Sequence, residues 1–163
     1  MPTSGDNSAV KIDFLGHHLD CLPELAQLHF NEWQHVSPDT TLEDRILRLQ
    51  EMARSSDMPF IVVAIENDQL VGSAALVKED MTTRQDLSPW LANVFVKPEF
   101  RQNGIGASLV GHIEGEAARR GIRTLFLYTK RARDLYLKLG WRKVEAREYQ
   151  GVSVTIMSKK IAV

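Results

Sequence analysis

Polar and apolar residues alternate at Val10-Lys11-Ile12-Asp13-Phe14, a period of two that predicts a half-buried strand. The period then lengthens. Leu22, Leu25 or Ala26, His29 and Trp33 fall on one helical face, with Asp20 as the expected cap, Pro23 tolerated in the first turn and an end near His35. Pro38 interrupts, and Thr40 with Glu43 is read as a capping box for a second helix with the stripe Leu42, Ile46, Leu49 and Ala53. The apolar run 60–65 is long enough for a strand buried on both faces. Residues 66–69 make a turn, and 70–77 return as the other arm of a hairpin. Residues 78–89 are polar and turn-rich, hence a loop. A short apolar strand, 91–96, must end by Pro98, which cannot donate to a sheet ladder. Ile105, Leu109, Ile113 and Ala117, four apart, predict a helix from about Gly104 to Arg120. Gly111 and Gly115 weaken that helix by roughly 1 kcal/mol each relative to Ala, or allow close packing on a sheet. Strand 124–129, a short helix 132–139 stopped by Gly140, and a hairpin of 141–149 with 152–158 around Gln150-Gly151 complete the chain. Residues 1–8 are small and polar and are expected to fray.

The order is βααβββαβαββ. The strand–helix–strand unit over 91–129 implies parallel pairing with a right-handed crossover. The prediction is one domain, 9–163, of the α/β (α+β) class, with a mixed central sheet of about seven strands flanked by about four helices.

The stretch 91–106 carries the first chemistry. Gly104 and Gly106 lack a Cβ, so backbone N–H groups there can approach a ligand closely. The helix behind them aims its unpaired N–H groups and the positive end of its dipole at the same place. Strand, basic loop and helix start together make an anion site suited to phosphate. A P-loop requires Gly-Lys-Ser/Thr, whereas Gly106 is followed by Ala107-Ser108. A dinucleotide fingerprint requires Gly or Ala where Leu109 stands. A nucleotide-binding module is therefore disfavoured. What remains, Arg101-x-x-Gly104-x-Gly106, resembles the acetyl-coenzyme A loop of the GNAT superfamily of N-acetyltransferases, whose pattern is Arg/Gln-x-x-Gly-x-Gly/Ala.

A second segment carries the same resemblance. In 132–141 a short helix bearing Tyr136 precedes Leu139-Gly140-Trp141, similar to the GNAT segment in which a tyrosine precedes Leu-Gly-Phe/Trp. The resemblance implies a GNAT-like domain that uses acetyl-coenzyme A as cosubstrate. It implies that Arg101 and the N–H groups of Gln102, Asn103, Gly104, Ile105 and Gly106 hold the pyrophosphate. It implies that N–H groups of Val94, Phe95 and Val96 polarise the thioester carbonyl, on a strand that splays from its parallel neighbour. Tyr136 is implied as the acid that protonates the departing thiolate. No metal is needed for such a transfer, and no Cys/His spacing suggests one. The expected function is direct acetyl transfer to an amine in a ternary complex. The alternative is a non-catalytic coenzyme A-binding or regulatory domain of the same fold.

The amine must lose a proton, and the sequence names no base. Glu79, Asp80, Glu32, His29 and His35 are candidates beside water. Lys130, Arg131 and Arg133 are read as a solvated basic face, with contact to the nucleotide phosphates as the alternative, His17-His18 as loop surface, Trp33 and Trp90 as core or rim, and Cys21 as a small buried hydrophobe. Composition narrows the partners. Net charge of −1 over 163 residues gives no global field for nucleic acid or an anionic membrane. One cysteine excludes an intramolecular disulfide and suits a reducing compartment. Residues 1–6 lack the basic and apolar regions of a signal peptide, and no apolar run approaches spanning length, so a cytoplasmic protein is expected. The acceptor is a small-molecule or peptide amine, and the resemblance adds a homodimer as a partner to consider.

Overall fold

The computed structural model describes residues 9–54 and 56–162. The tail expected to fray, 1–8, lies outside them. The strands are β1 (Lys11–Phe14), β2 (Phe60–Glu66), β3 (Gln69–Val77), β4 (Trp90–Val96), β5 (Thr124–Thr129), β6 (Arg142–Tyr149) and β7 (Val152–Lys160). The helices are α1 (Leu22–Trp33), α2 (Leu42–Ala53), α3 (Ile105–Arg119) and α4 (Arg133–Lys138). The strands form one sheet in the order β1-β2-β3-β4-β5-β7-β6. The pair β4–β5 is parallel and every other neighbouring pair is antiparallel. The expected class, element order and mixed sheet are all present.

The alternation of β2 explains its apolar run. Ile61, Val63 and Ile65 pack on the face covered by α1 and α2, with Leu25 and Leu49. Phe60, Val62 and Ala64 pack on the face covered by α3 and α4, with Leu109 and Ile113. A strand buried on both faces has no place for a polar alternate. Two hairpins close on left-handed pairs, Asn67-Asp68 (φ 53° and 62°) and Gln150-Gly151 (φ 52° and 78°), whose twist matches the flanking strands.

Several local expectations move. The capping box is Thr41 with Asp44, not Thr40 with Glu43. The Asp44 N–H donates to Thr41 Oγ1 at 3.0 Å and the Thr41 N–H to Asp44 Oδ2 at 2.9 Å. The Thr40 N–H is already spent on the Ser37 carbonyl, which fixes the helix start one residue later. Asp20 is not a cap: it sits in a 3₁₀ turn, Leu19–Cys21, that runs into α1 with no side-chain cap. The helix α1 ends at Trp33, two residues short of His35. Gly111 and Gly115 do not serve packing on the sheet. A Cβ at Gly111 would meet nothing within 4 Å, and one at Gly115 would meet only the Arg119 guanidinium.

The glycine that packing does require is Gly72. A Cβ there would lie 2.6 Å from the Phe95 carbonyl oxygen and 3.1 Å from Leu109 Cδ1. Its absence lets β4 and α3 come close at the point where the β3–β4 ladder slips. Ser73 pairs with Phe95 but Ala75 pairs with Ala92, so two residues of β4, Asn93 and Val94, oppose one of β3. Asn93 takes φ 53° to make this bulge. On its other side β4 meets β5 at a single register pair, Trp90 with Phe126. Beyond it the two strands diverge.

Candidate functional site

The divergence of β4 and β5 opens a cleft of about 980 Å³ that passes from one face of the sheet to the other. One end is the start of α3, with Gly104 and Gly106. The other end is bordered by Arg45 of α2, Asp80 of the 78–89 loop and Tyr128 of β5. Between them run Val94, Phe95 and Val96, with Tyr136 of α4 opposite. Arg101 and Gln102 border the first end. Asn103 and Ile105 do not line the cleft: Ile105 is buried in the core beneath α3, and Asn103 is exposed, its amide directed at the Phe100 carbonyl.

The loop before α3 has the form an oxyanion needs. Gln102 and Gly104 are both left-handed (φ 65° and 80°), which curls the chain, and no side chain caps α3. Its first N–H groups are thus left for a ligand. A Cβ built on Gly104 meets no atom within 4 Å, and one on Gly106 meets only Val96 Cγ2 at 3.8 Å. The space is open on the ligand side, and a phosphate fits it. Arg101 is folded back: its Nε donates to the Val96 carbonyl at 2.8 Å, its guanidinium lies 5.9 Å from the Phe95 ring centroid, and Glu32 stands 4.0 Å away. Half of its side chain remains open to solvent.

The inner edge of β4 is set by alternation. The Lys97 N–H donates to Val71 of β3 at 2.9 Å. Neighbouring amides point to opposite edges, so the Phe95 N–H turns toward β3 and the Val96 N–H toward the gap. A buried relay holds the bulge above it. The Ser73 hydroxyl donates to the Asn93 carbonyl at 2.8 Å, and its oxygen therefore accepts from His29 Nε2, 2.9 Å away. Burial, with the nearby Arg45 charge adding, lowers the His29 pKa to about 3, so the ring is neutral and carries its proton on Nε2. Ser73→Ala leaves His29 without an acceptor and Asn93 without a donor. The expected cost is about 1–3 kcal/mol in urea unfolding at pH 7. An unchanged midpoint would show that the bulge stands without the relay.

The remaining base candidates separate cleanly. His29 is committed to Ser73. Glu79 is exposed and lies outside the cleft. Glu32 and His35 border it, Glu32 at the Arg101 end. Asp80 also borders it, and desolvation pushes its carboxyl up to about 7, with the Arg48 charge offsetting part of the rise. Tyr136 is buried, packs edge-on to Trp141 at 6.0 Å, and is pushed up to about 12 by burial. Its hydroxyl has no hydrogen-bond partner among the described residues.

Arg45 borders the cleft and was passed over in the sequence reading. A signal existed: it lies three residues after Leu42 and four before Leu49, so a charge interrupts the apolar stripe of α2. Of the basic cluster, Lys130 and Arg131 border the cleft and Arg133 lies outside it, 3.8 Å from Asp134. Cys21 is half-buried, and desolvation with the acidic Asp20 and Glu24 raises its thiol, which disfavours the nucleophilic thiolate. His17 and His18 both bond Asp13 at the surface, at 3.0 and 3.2 Å. Trp90 is core, and Trp33 is half-buried on the cleft rim. Among the described residues no three His, Cys, Asp or Glu gather as a metal set, and no helix is long and apolar enough to cross a membrane.

Comparison with known proteins places this geometry. A comparison with curated proteins finds no match. Solved structures match over nearly the whole chain. An aminoglycoside 6'-N-acetyltransferase complexed with coenzyme A superposes with a TM-score of 0.75 at 20% identity, over 94% of this chain and 98% of that one. A GNAT-family acetyltransferase from Streptococcus pneumoniae gives 0.64 at 20%, over 94% and 100%. The N-acetylglutamate synthase from Neisseria gonorrhoeae, complexed with coenzyme A and N-acetyl-glutamate, gives 0.70 at 18%, over 97% of this chain and 36% of that one. At these identities the likeness is one of fold. The model of the Acetyltransferase (GNAT) family matches residues 22–141, well over half of the chain. With the glycine loop, the bulged β4 and the gap beside it in place, the chain belongs to the GNAT family of acetyltransferases.

Proposed function

We propose that this acetyltransferase moves an acetyl group from acetyl-coenzyme A to an amine by direct transfer in a ternary complex. The observation that carries the reading is the continuity of the cleft. It joins the glycine loop at α3 to Asp80 through the gap between β4 and β5, so a donor and an acceptor entering from opposite ends meet inside the sheet. Bound acetyl-coenzyme A supplies the activated thioester. The amides from Gln102 to Gly106, with Arg101 released from Val96, hold its diphosphate. The N–H of Val96, with Val94 beside it at the bulge, polarises the acetyl carbonyl, and a preorganised donor of this kind contributes about 3 kcal/mol. The single cysteine suits a cytosolic setting.

Asp80 accepts the proton of the amine. Its value of about 7 is one unit below an α-ammonium near 8, whereas a lysine ammonium near 10.4 lies more than three units away. Tyr136 donates to the departing sulfur. A thiol near 8.5 is much the stronger acid, so the Tyr136 proton stays nearer the phenol and stabilises the thiolate through a hydrogen bond. Tyr136→Phe is expected to lower kcat roughly 10- to 100-fold. Coenzyme A affinity measured by calorimetry should hardly change. Unaltered turnover removes the role. Thiol release from acetyl-coenzyme A with a panel of amines tests the whole reading, since a coenzyme A-binding domain without activity would bind and release nothing.

A further inference from the structure

The Arg45 guanidinium makes no ion pair among the described residues. Its Nε is withdrawn from solvent and has no hydrogen-bond partner, and no carboxylate among the described residues lies within ion-pair reach of it. A native fold rarely leaves a buried donor of a charged group unmet. The group is not loose. The Trp33 ring lies 5.8 Å from the guanidinium carbon, and desolvation already weakens its hold on the proton. It borders the cleft at the same end as Asp80, and the charges of both reach the Tyr128 hydroxyl. That end therefore offers a fork of donors and a carboxyl on either side of Tyr128. Glu32, the other acid of the cleft, lies 4.0 Å from Arg101.

From this we infer that the acceptor is a small amine that itself carries an anionic oxygen group, of which an amino acid carboxylate is the simplest, and that Arg45 binds that group while the amine faces Asp80. The inference rests on the transfer reading above and deepens it. A planar guanidinium pairs bidentately with a carboxylate, and a partly desolvated site strengthens the pair. A polycationic acceptor would bring charge of the same sign against Arg45, Lys130 and Arg131, with Asp80 and the Arg101-paired Glu32 as the acids of the cleft to balance it. An α-amino acid carries both groups, and its ammonium is also the one that Asp80 can deprotonate.

The test uses the full chain with acetyl-coenzyme A and a panel of free amino acids, the same amino acids as carboxamides, an aminophosphonate, a diamine and an aminoglycoside. The expected result is a kcat/KM for acids above that for their amides by roughly 100-fold, falling to near parity in Arg45→Met with the KM for acetyl-coenzyme A unchanged. The aminophosphonate arm tells a carboxylate requirement from a general oxyanion one. A second readout is independent of turnover. An N-acetyl amino acid titrated by calorimetry into the coenzyme A complex should bind the wild type more tightly than its amide does, and Arg45→Met should abolish the difference. Arg45→Lys, which keeps the charge without the fork, should fall between. Amides, diamine or aminoglycoside performing as well as the acids would overturn the proposal, as would an acid preference that survives Arg45→Met. If no amine releases thiol, the transfer reading fails, and the calorimetric comparison still decides whether Arg45 selects an anion.

Discussion

Coenzyme A titrated into a Gly104→Val variant should bind at least about 100-fold more weakly than to the parent, while the variant remains folded. The reasoning separates two costs. At φ 80° a β-branched residue pays about 1–2 kcal/mol in backbone strain, which lowers the melting temperature modestly. No protein atom lies within 4 Å of the added Cβ, so the core feels nothing. The large loss must come from the ligand side, where the new methyl groups occupy the space that a diphosphate requires. Calorimetry and thermal melting on the same sample read both effects. Normal coenzyme A affinity would show that the diphosphate does not sit on this loop.

Asp80→Asn should reduce kcat/KM roughly 100-fold or more, because a positioned base contributes at least that much and an amide cannot accept the proton. The pH profile carries more weight than the magnitude. In the parent, activity should rise through about 7 as the carboxyl ionises, and the variant should lose that inflection. Stability should move the opposite way. The folded pKa lies above the ordinary 3.8, so the stabilising contribution of the protonated carboxyl is complete below 3.8 and is lost as pH rises through 7. Above pH 7 the parent carries a poorly hydrated charge that the variant lacks, and Asp80→Asn should unfold at higher denaturant there. A variant more stable at pH 8 yet nearly inactive marks a group retained for chemistry. Equal activity at every pH would transfer the deprotonation to water.

Most of the fold was legible because it rests on short-range periodicity. The run 60–65 announced a strand covered on both faces, and the four-residue spacing from Ile105 to Ala117 announced α3. The glycine loop was legible because its parts are contiguous. The far end of the cleft was only partly legible: Asp80 stood among the base candidates, but Arg45 and Tyr128 come from other segments that only the fold brings beside it. Residues 78–89 are the loop their polar, turn-rich composition indicates, but that composition did not report that Met81 is buried and Asp80 borders the cleft. The shifted capping box turned on whether one amide, that of Thr40, was already engaged. The requirement at Gly72 depends on a carbonyl 23 positions away in the chain, which no local pattern reports.

The lone register pair between Trp90 and Phe126 makes the sheet two leaves, one of four strands and one of three, hinged at one end. A molecule wedged between them touches both leaves, so its binding free energy adds to their cohesion. If the thioester sits there as proposed, the resilience of this protein to heat or proteases should rise with how much of it the surrounding solution supplies.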